Sequence, residues 1–213
     1  MNHTRIYGCS VTVLVAQFCL AITTTMVSSN AFSQDTDGPL RLVEITVREA
    51  FAEVRENEEL YRDNGDRLQA MVEEKIAPHF NFERMTQLAV AQNWSRATDD
   101  ERASLTAEFK ALLIRSYANV SYDFRTELPN IKITPRSVSE NRAIIRGEAT
   151  TNRGQRVVLD VRMENRGQRW QVIDVMVDGV SLIVNYRASF AYEIEQGGFA
   201  RLIETLKSEN NSQ

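Results

Sequence analysis

The stretch T-T-N-R-G-Q-R-V-V-L-D-V-R-M-E-N-R-G-Q-R-W-Q-V-I-D-V-M-V, Thr150 to Val177, decides the fold of this chain. Two runs rich in β-branched residues, Arg156 to Glu164 and Arg169 to Val177, each follow an Asn-Arg-Gly triplet: Asn152-Arg153-Gly154 and Asn165-Arg166-Gly167. A glycine closing a three-residue loop supplies the left-handed backbone a hairpin needs, so the repeated triplet predicts an antiparallel meander. Ala143 to Thr150 and Ile131-Lys132-Ile133 extend it upstream. Strict alternation puts Val157, Leu159, Val161 and Met163 on one face of the third run, opposite Val158, Asp160 and Arg162. In the fourth run it sets Trp170, Val172 and Met176 against Ile173, Val175 and Val177. A strand apolar on both sides is covered on both, either at the centre of a core or with one face lining a cavity.

Before the strands the period is helical. Leu40, Val43, Val47, Ala50 or Phe51, and Val54 recur at three- and four-residue spacing after Pro39. Past a break at Asp63-Asn64-Gly65, Leu68, Met71, Val72 and Ile76 mark a second segment. Met85, Leu88 and Ala89, opened by Asn81, mark a third. Thr98-Asp99-Asp100-Glu101 is a capping box, and the stripe from Leu105 through Phe124 is long enough to lie across a whole sheet. After Asp178-Gly179 the run V-S-L-I-V-N-Y-R-A-S-F reads as a further helix, with Leu182, Tyr186 and Phe190 on one side and Val180 and Val184 on another. Helices, strands, then helix is α+β order, with helices packed on a twisted antiparallel sheet.

Composition narrows the function. The chain has 213 residues, 43% hydrophobic and 25% charged, which suits one globular domain. Val11 to Ile22 is a short apolar run preceded by Arg5 alone among Lys and Arg, and no Asp or Glu occurs before Asp35. This is the profile of a secretory signal, with small residues at Ala31 and Ser33 placing a cut after residue 33 and the domain at 34–213. Both cysteines, Cys9 and Cys19, fall inside the signal, so the exported domain has neither disulfide nor thiolate. A formal charge of −4 gives no pull toward nucleic acid.

Candidate chemistry is sparse. His79, beside Pro78 and Phe80, is the one histidine outside the signal, and no nucleophile elbow, zincin motif or phosphate-binding glycine loop is present. Asp160, Asp174 and Asp178 lie on or after strands, where a buried carboxyl acts as a general base, pairs with an arginine such as Arg146 or Arg162, or sits at the sheet rim.

The run W-Q-V-I-D-V-M-V-D-G-V-S-L-I-V-N-Y-R-A-S-F, Trp170 to Phe190, followed by Gly197-Gly198-Phe199 and Leu202 to Lys207, resembles the MlaC family. Phe80-Asn81-Phe82-Glu83-Arg84-Met85, Trp94 before Ala97-Thr98, and the helix from Glu101 to Tyr122 carry the resemblance upstream. It implies an NTF2-like or MlaC-like α+β fold enclosing an apolar cavity, and a monomeric periplasmic phospholipid carrier. Such a carrier docks transiently on an inner-membrane ABC transporter complex and an outer-membrane lipoprotein complex, maintains outer-membrane lipid asymmetry, and needs no cofactor, metal or catalytic residue. The competing expectation is an exported NTF2-like enzyme with a buried Asp as general base. For a carrier, the expected lining is Phe109, Leu112, Leu113, Tyr117 and Val120 from the long helix, Leu159, Val161, Trp170, Val172 and Met176 from the sheet, and Leu182, Tyr186 and Phe190 from the last helix. Asn185 and Arg187 then hold that helix to its neighbours or meet a headgroup or partner.

Overall fold

The structure, a computed structural model, describes residues 37–62, 64–127, 131–150 and 154–211, and of residues 37 and 119–127 the backbone alone. The expected signal at 1–33 and the tip of the first Asn-Arg-Gly loop lie outside the described residues.

Among the described residues, five antiparallel strands form one sheet in the order β1 (Lys132–Val138), β2 (Arg142–Thr150), β3 (Arg156–Arg166), β4 (Arg169–Val177) and β5 (Val180–Ser181). The meander is as expected, with two differences at its turns. Arg166 pairs with Arg169, so the β3–β4 connection is the two-residue turn Gly167-Gln168, with φ of 59° and 68°, and not a three-residue loop. Left-handed backbone at both central positions is the type I′ geometry whose twist matches that of paired strands. Asp178-Gly179, with φ of 48° and 86°, makes the same turn and adds β5, which the helical reading of that segment lacks.

The third difference explains the doubly apolar strand. Val161 pairs with Val175 and Arg162 with Asp174, but Met163 pairs with Val172, so Ile173 is an extra residue bulged out of register. Directly paired residues share a face. Leu159, Val161, Met163, Trp170, Val172, Val175 and Val177 therefore all lie on one inner face, while Met176, paired with Asp160 and Ser181, lies on the outer one. The grouping of Trp170 and Val172 with Met176 is corrected accordingly: the bulge reverses the alternation in mid-strand.

Among the described residues, six α-helices cover the inner face and each other. They are α1 (Asp37–Glu56), α2 (Glu58–Tyr61), α3 (Gly65–Met71), α4 (Phe82–Val90), α5 (Asp99–Glu127) and α6 (Leu182–Asn211). A π-helical turn at Val72–Ile76 and a 3₁₀ turn at Ala77–His79 link α3 to α4. Local chemistry sets the starts. Asn64 Oδ1 accepts from Arg67 N at 3.2 Å, and Asn81 Oδ1 from Arg84 N at 2.9 Å. At α5, Thr98 Oγ1 accepts from Glu101 N at 3.3 Å while Glu101 Oε2 accepts from Thr98 N at 2.8 Å, the reciprocal box the sequence announces.

The main neighbours of α5 are α6, α3 and α4, and its Leu113 and Tyr117 face Val175 and Val177 of β4 across a pocket. The inner face is taken by α1, whose Val43 packs with Ala143, Ile145, Met163 and Val172. Helices α4, α5 and α6 form their own core around Met85, Leu105, Phe109, Ile183, Phe190 and Leu202. Gly198, at φ 70° and ψ −167°, adopts a backbone open essentially to glycine alone and kinks α6. The kink returns Phe199, Leu202 and Leu206 to the same core.

Candidate functional site

Two apolar pockets lie between the inner sheet face and the helices. The first, about 230 Å³, sits under α1, between Val43, Val47 and Phe51 and the sheet residues Ile133, Val161 and Val172. The second, about 240 Å³, is walled by Val72 of the π turn, Met85 of α4, Leu113 and Tyr117 of α5, Val175 and Val177 of β4, and Leu182 of α6. Ile76, Phe80 and Leu159 border both. On the same inner face Ala143, Ile145, Met163 and Val172 are buried, whereas Leu159, Val161, Val175 and Val177 are only half-buried under covering helices. Side chains that keep accessible surface beneath a helical layer face a void rather than packed atoms.

Polar contacts hold the shared wall in place. Phe80 forms a bridge to Val172, and Asn81 N donates to the Val172 carbonyl at 2.9 Å. Asn81 Nδ2 donates to Gln171 Oε1 at 3.0 Å, and Arg84 meets Glu164 through Nε and Nη2, each at 3.2 Å. Because 80–84 is bolted to β3 and β4, Phe80 stays stacked on Phe82, ring centroids 5.8 Å apart, as a fixed partition. Inside the first pocket Thr46 already gives its hydroxyl to the Leu42 carbonyl at 2.8 Å, which leaves little polar surface facing the void.

The structure divides the expected lining residues. Leu113, Tyr117, Leu159, Val161, Val172 and Leu182 border a pocket. Phe109, Leu112 and Phe190 are buried in the helical core, and Tyr186 packs against it. Phe109 meets Tyr186 and Phe190 edge-on, both at 5.0 Å. Burial, then the adjacent Tyr117, pushes the Tyr186 phenol up, so it is neutral. Trp170 packs at the hairpin end of the inner face, and Met176 is on the opposite face. The side chain of Val120 lies outside the described residues. Missed entirely were Val43, Val47, Phe51, Val72, Ile76 and Phe80; the α1 stripe was visible, but nothing in it says that a void lies beneath.

The three carboxylates are structural in their surroundings. Asp160 is 3% exposed and takes Arg146 Nε at 2.7 Å and Nη2 at 2.8 Å, with Arg136 Nη1 at 2.7 Å. Chiefly the Arg146 hydrogen bonds hold its carboxyl below the usual range, opposite to what a general base at neutral pH needs. Asp174, also 3% exposed, accepts from Ser181 Oγ at 2.7 Å and Ile183 N at 3.3 Å, anchoring the start of α6, with Arg162 at 3.6 Å. Exposed Asp178 accepts from Val158 N at 3.0 Å. None borders either apolar pocket. Arg187 donates to the Leu88 carbonyl near the end of α4 at 3.1 Å, a link between helices, while Asn185 is exposed. Among the described residues no cluster of three or more His, Cys, Asp or Glu is placed to hold a metal, and no helix is long and apolar enough to cross a membrane.

Comparison with known proteins places this geometry among relatives. The family described as MlaC protein matches residues 44–208. The toluene tolerance protein Ttg2D of Pseudomonas putida is 23% identical over 162 residues, 75% of this chain and 74% of that protein. A phospholipid-binding protein from Ralstonia solanacearum, solved in complex with a phospholipid, superposes with a TM-score of 0.73 at 29% identity, covering 82% of this chain and 97% of that one.

Proposed function

The chain belongs to the MlaC family, and on that premise we propose that it is a periplasmic phospholipid carrier whose two apolar pockets receive the acyl chains. The observation that carries this reading is the pair of adjoining pockets that share the Ile76, Phe80 and Leu159 wall. Each CH₂ moved out of water gains about 0.8 kcal/mol, so about 30 methylenes of a diacyl lipid are worth on the order of 20 kcal/mol. A surface groove leaves much of that unrecovered; pockets roofed by helices recover it.

In this reading the carrier moves lipid between the outer membrane, at a lipoprotein complex, and an inner-membrane ABC transporter complex, after export directed by residues 1–33. The lining of the site comprises Leu113, Tyr117, Leu159, Val161, Val172 and Leu182, joined by Phe80 and the inner stripe of α1. The carrier works without catalysis, a reading supported by Asp160 and Asp174 being spent on arginine and helix-start contacts away from the pockets. Native mass spectrometry of the protein purified from the periplasm tests it. A stoichiometric phospholipid adduct is expected, and a folded, empty protein refutes it.

A further inference from the structure

A cleft of about 460 Å³ opens on the outer face of the sheet, where α6 begins. It is bordered by Arg84, Arg142, Arg162 and Arg187, against two carboxylates, Glu164 and Asp174. Both carboxylates are turned inward: the Glu164 side chain is 13% exposed and clasped by Arg84, and that of Asp174 is 4% exposed. Of the guanidiniums, Arg84 is 21% exposed on Glu164, whereas Arg162 is 47% exposed. Arg142 is exposed and has no carboxylate partner among the described residues. A chain of formal charge −4 thus presents a locally positive, concave surface. One exposed apolar side chain stands in the lining: Val184, 51% exposed.

We propose that this cleft docks an acidic segment of a partner protein, its carboxylates meeting Arg142 and Arg162 and an apolar side chain covering Val184. Guanidiniums favour carboxylates through paired, directional hydrogen bonds. A concave surface lined by arginines favours a protruding polypeptide over a flat bilayer. The cleft shares one lining residue, Met163, with the first apolar pocket and none with the second, so a bound partner leaves most of the pocket walls clear.

The test places a photoreactive benzoylphenylalanine at position 184 of the full chain, expressed in its native envelope, and sequences the cross-linked product. The expected adduct is a polypeptide segment with an excess of Asp and Glu. Its yield falls about tenfold or more on Arg142→Glu, as loss of a complementary interface charge requires. Arg142→Gln gives an intermediate loss and guards against a folding defect, and circular dichroism checks both variants. A lipid adduct, a segment without acidic excess, no adduct, or a yield indifferent to Arg142→Glu in folded protein overturns the proposal. Co-purified phospholipid is measured on the same samples: its absence counts against the carrier reading, whereas loss of the adduct with lipid retained bears on docking alone.

Discussion

Leu159→Trp is the sharpest probe of the paired pockets, because Leu159 borders both and is only partly buried. Replacing isobutyl by an indole adds about six heavy atoms to the void, displacing about as many methylenes of a bound lipid; at about 0.8 kcal/mol each, this costs about 5 kcal/mol. At 1.4 kcal/mol per factor of ten, lipid retention falls more than about 10³-fold. The fold tolerates the change, since the added atoms enter space rather than a packed core. The assay is native mass spectrometry with quantitative lipid extraction, beside a urea unfolding curve to establish that the variant is folded. Leu159→Ala is the control: it enlarges the pockets and keeps the lipid. A folded Leu159→Trp protein carrying the wild-type complement of phospholipid refutes the placement of the acyl chains in these pockets.

Other residues test the division between wall and core. Phe190→Ala removes a ring packed on Phe109 and Tyr186, and is expected to cost about 3–5 kcal/mol of stability in a urea titration while the folded fraction keeps its lipid. Thr98→Ala breaks the capping box of α5 and lowers stability by about 1 kcal/mol, read from the shift in denaturation midpoint. Asp160 has its carboxyl pKa lowered in the folded state by Arg146 and Arg136. Its stabilising contribution is therefore complete above the unfolded carboxylate pKa of about 3.9 and is lost as pH falls through the folded value. Asp160→Asn should flatten that acid limb of a stability-against-pH profile and leave lipid content at pH 7 unchanged.

Much of the fold is legible locally, and the misses have physical causes. Asn81, Thr98 and Glu101 announce their helix starts because a cap is satisfied within a few residues of chain. The Gly167-Gln168 turn was read one residue too long because glycine signals left-handed backbone, whereas the pairing of Arg166 with Arg169 decides which residues flank it. Asp178-Gly179 carried a strong hairpin signal, overlooked because the strand after it is two residues long. The bulge at Ile173 has no local mark; alternation assumes an unbroken register, and one inserted residue moves Met176 to the other face.

Phe109 and Leu113 show where the site itself passes beyond sequence. One turn apart on α5, both apolar and both buried, they differ only in what stands opposite: Tyr186 and Phe190 fill the space before Phe109, while a pocket opens before Leu113. Val184, which periodicity sets on a different side of the last helix from Leu182, stands half-exposed beside an arginine-lined cleft. Periodicity and capping determined the helices, the meander and the apolar stripes, since those depend on hydrogen bonds and side-chain directions along the chain itself. Whether an apolar residue is core, pocket wall or exposed rim, and whether Asp160 is a base or an ion-pair anchor, was decided by the tertiary structure. Burial, packing density and pKa are properties of the neighbours that other segments bring, and one stretch of chain does not contain them.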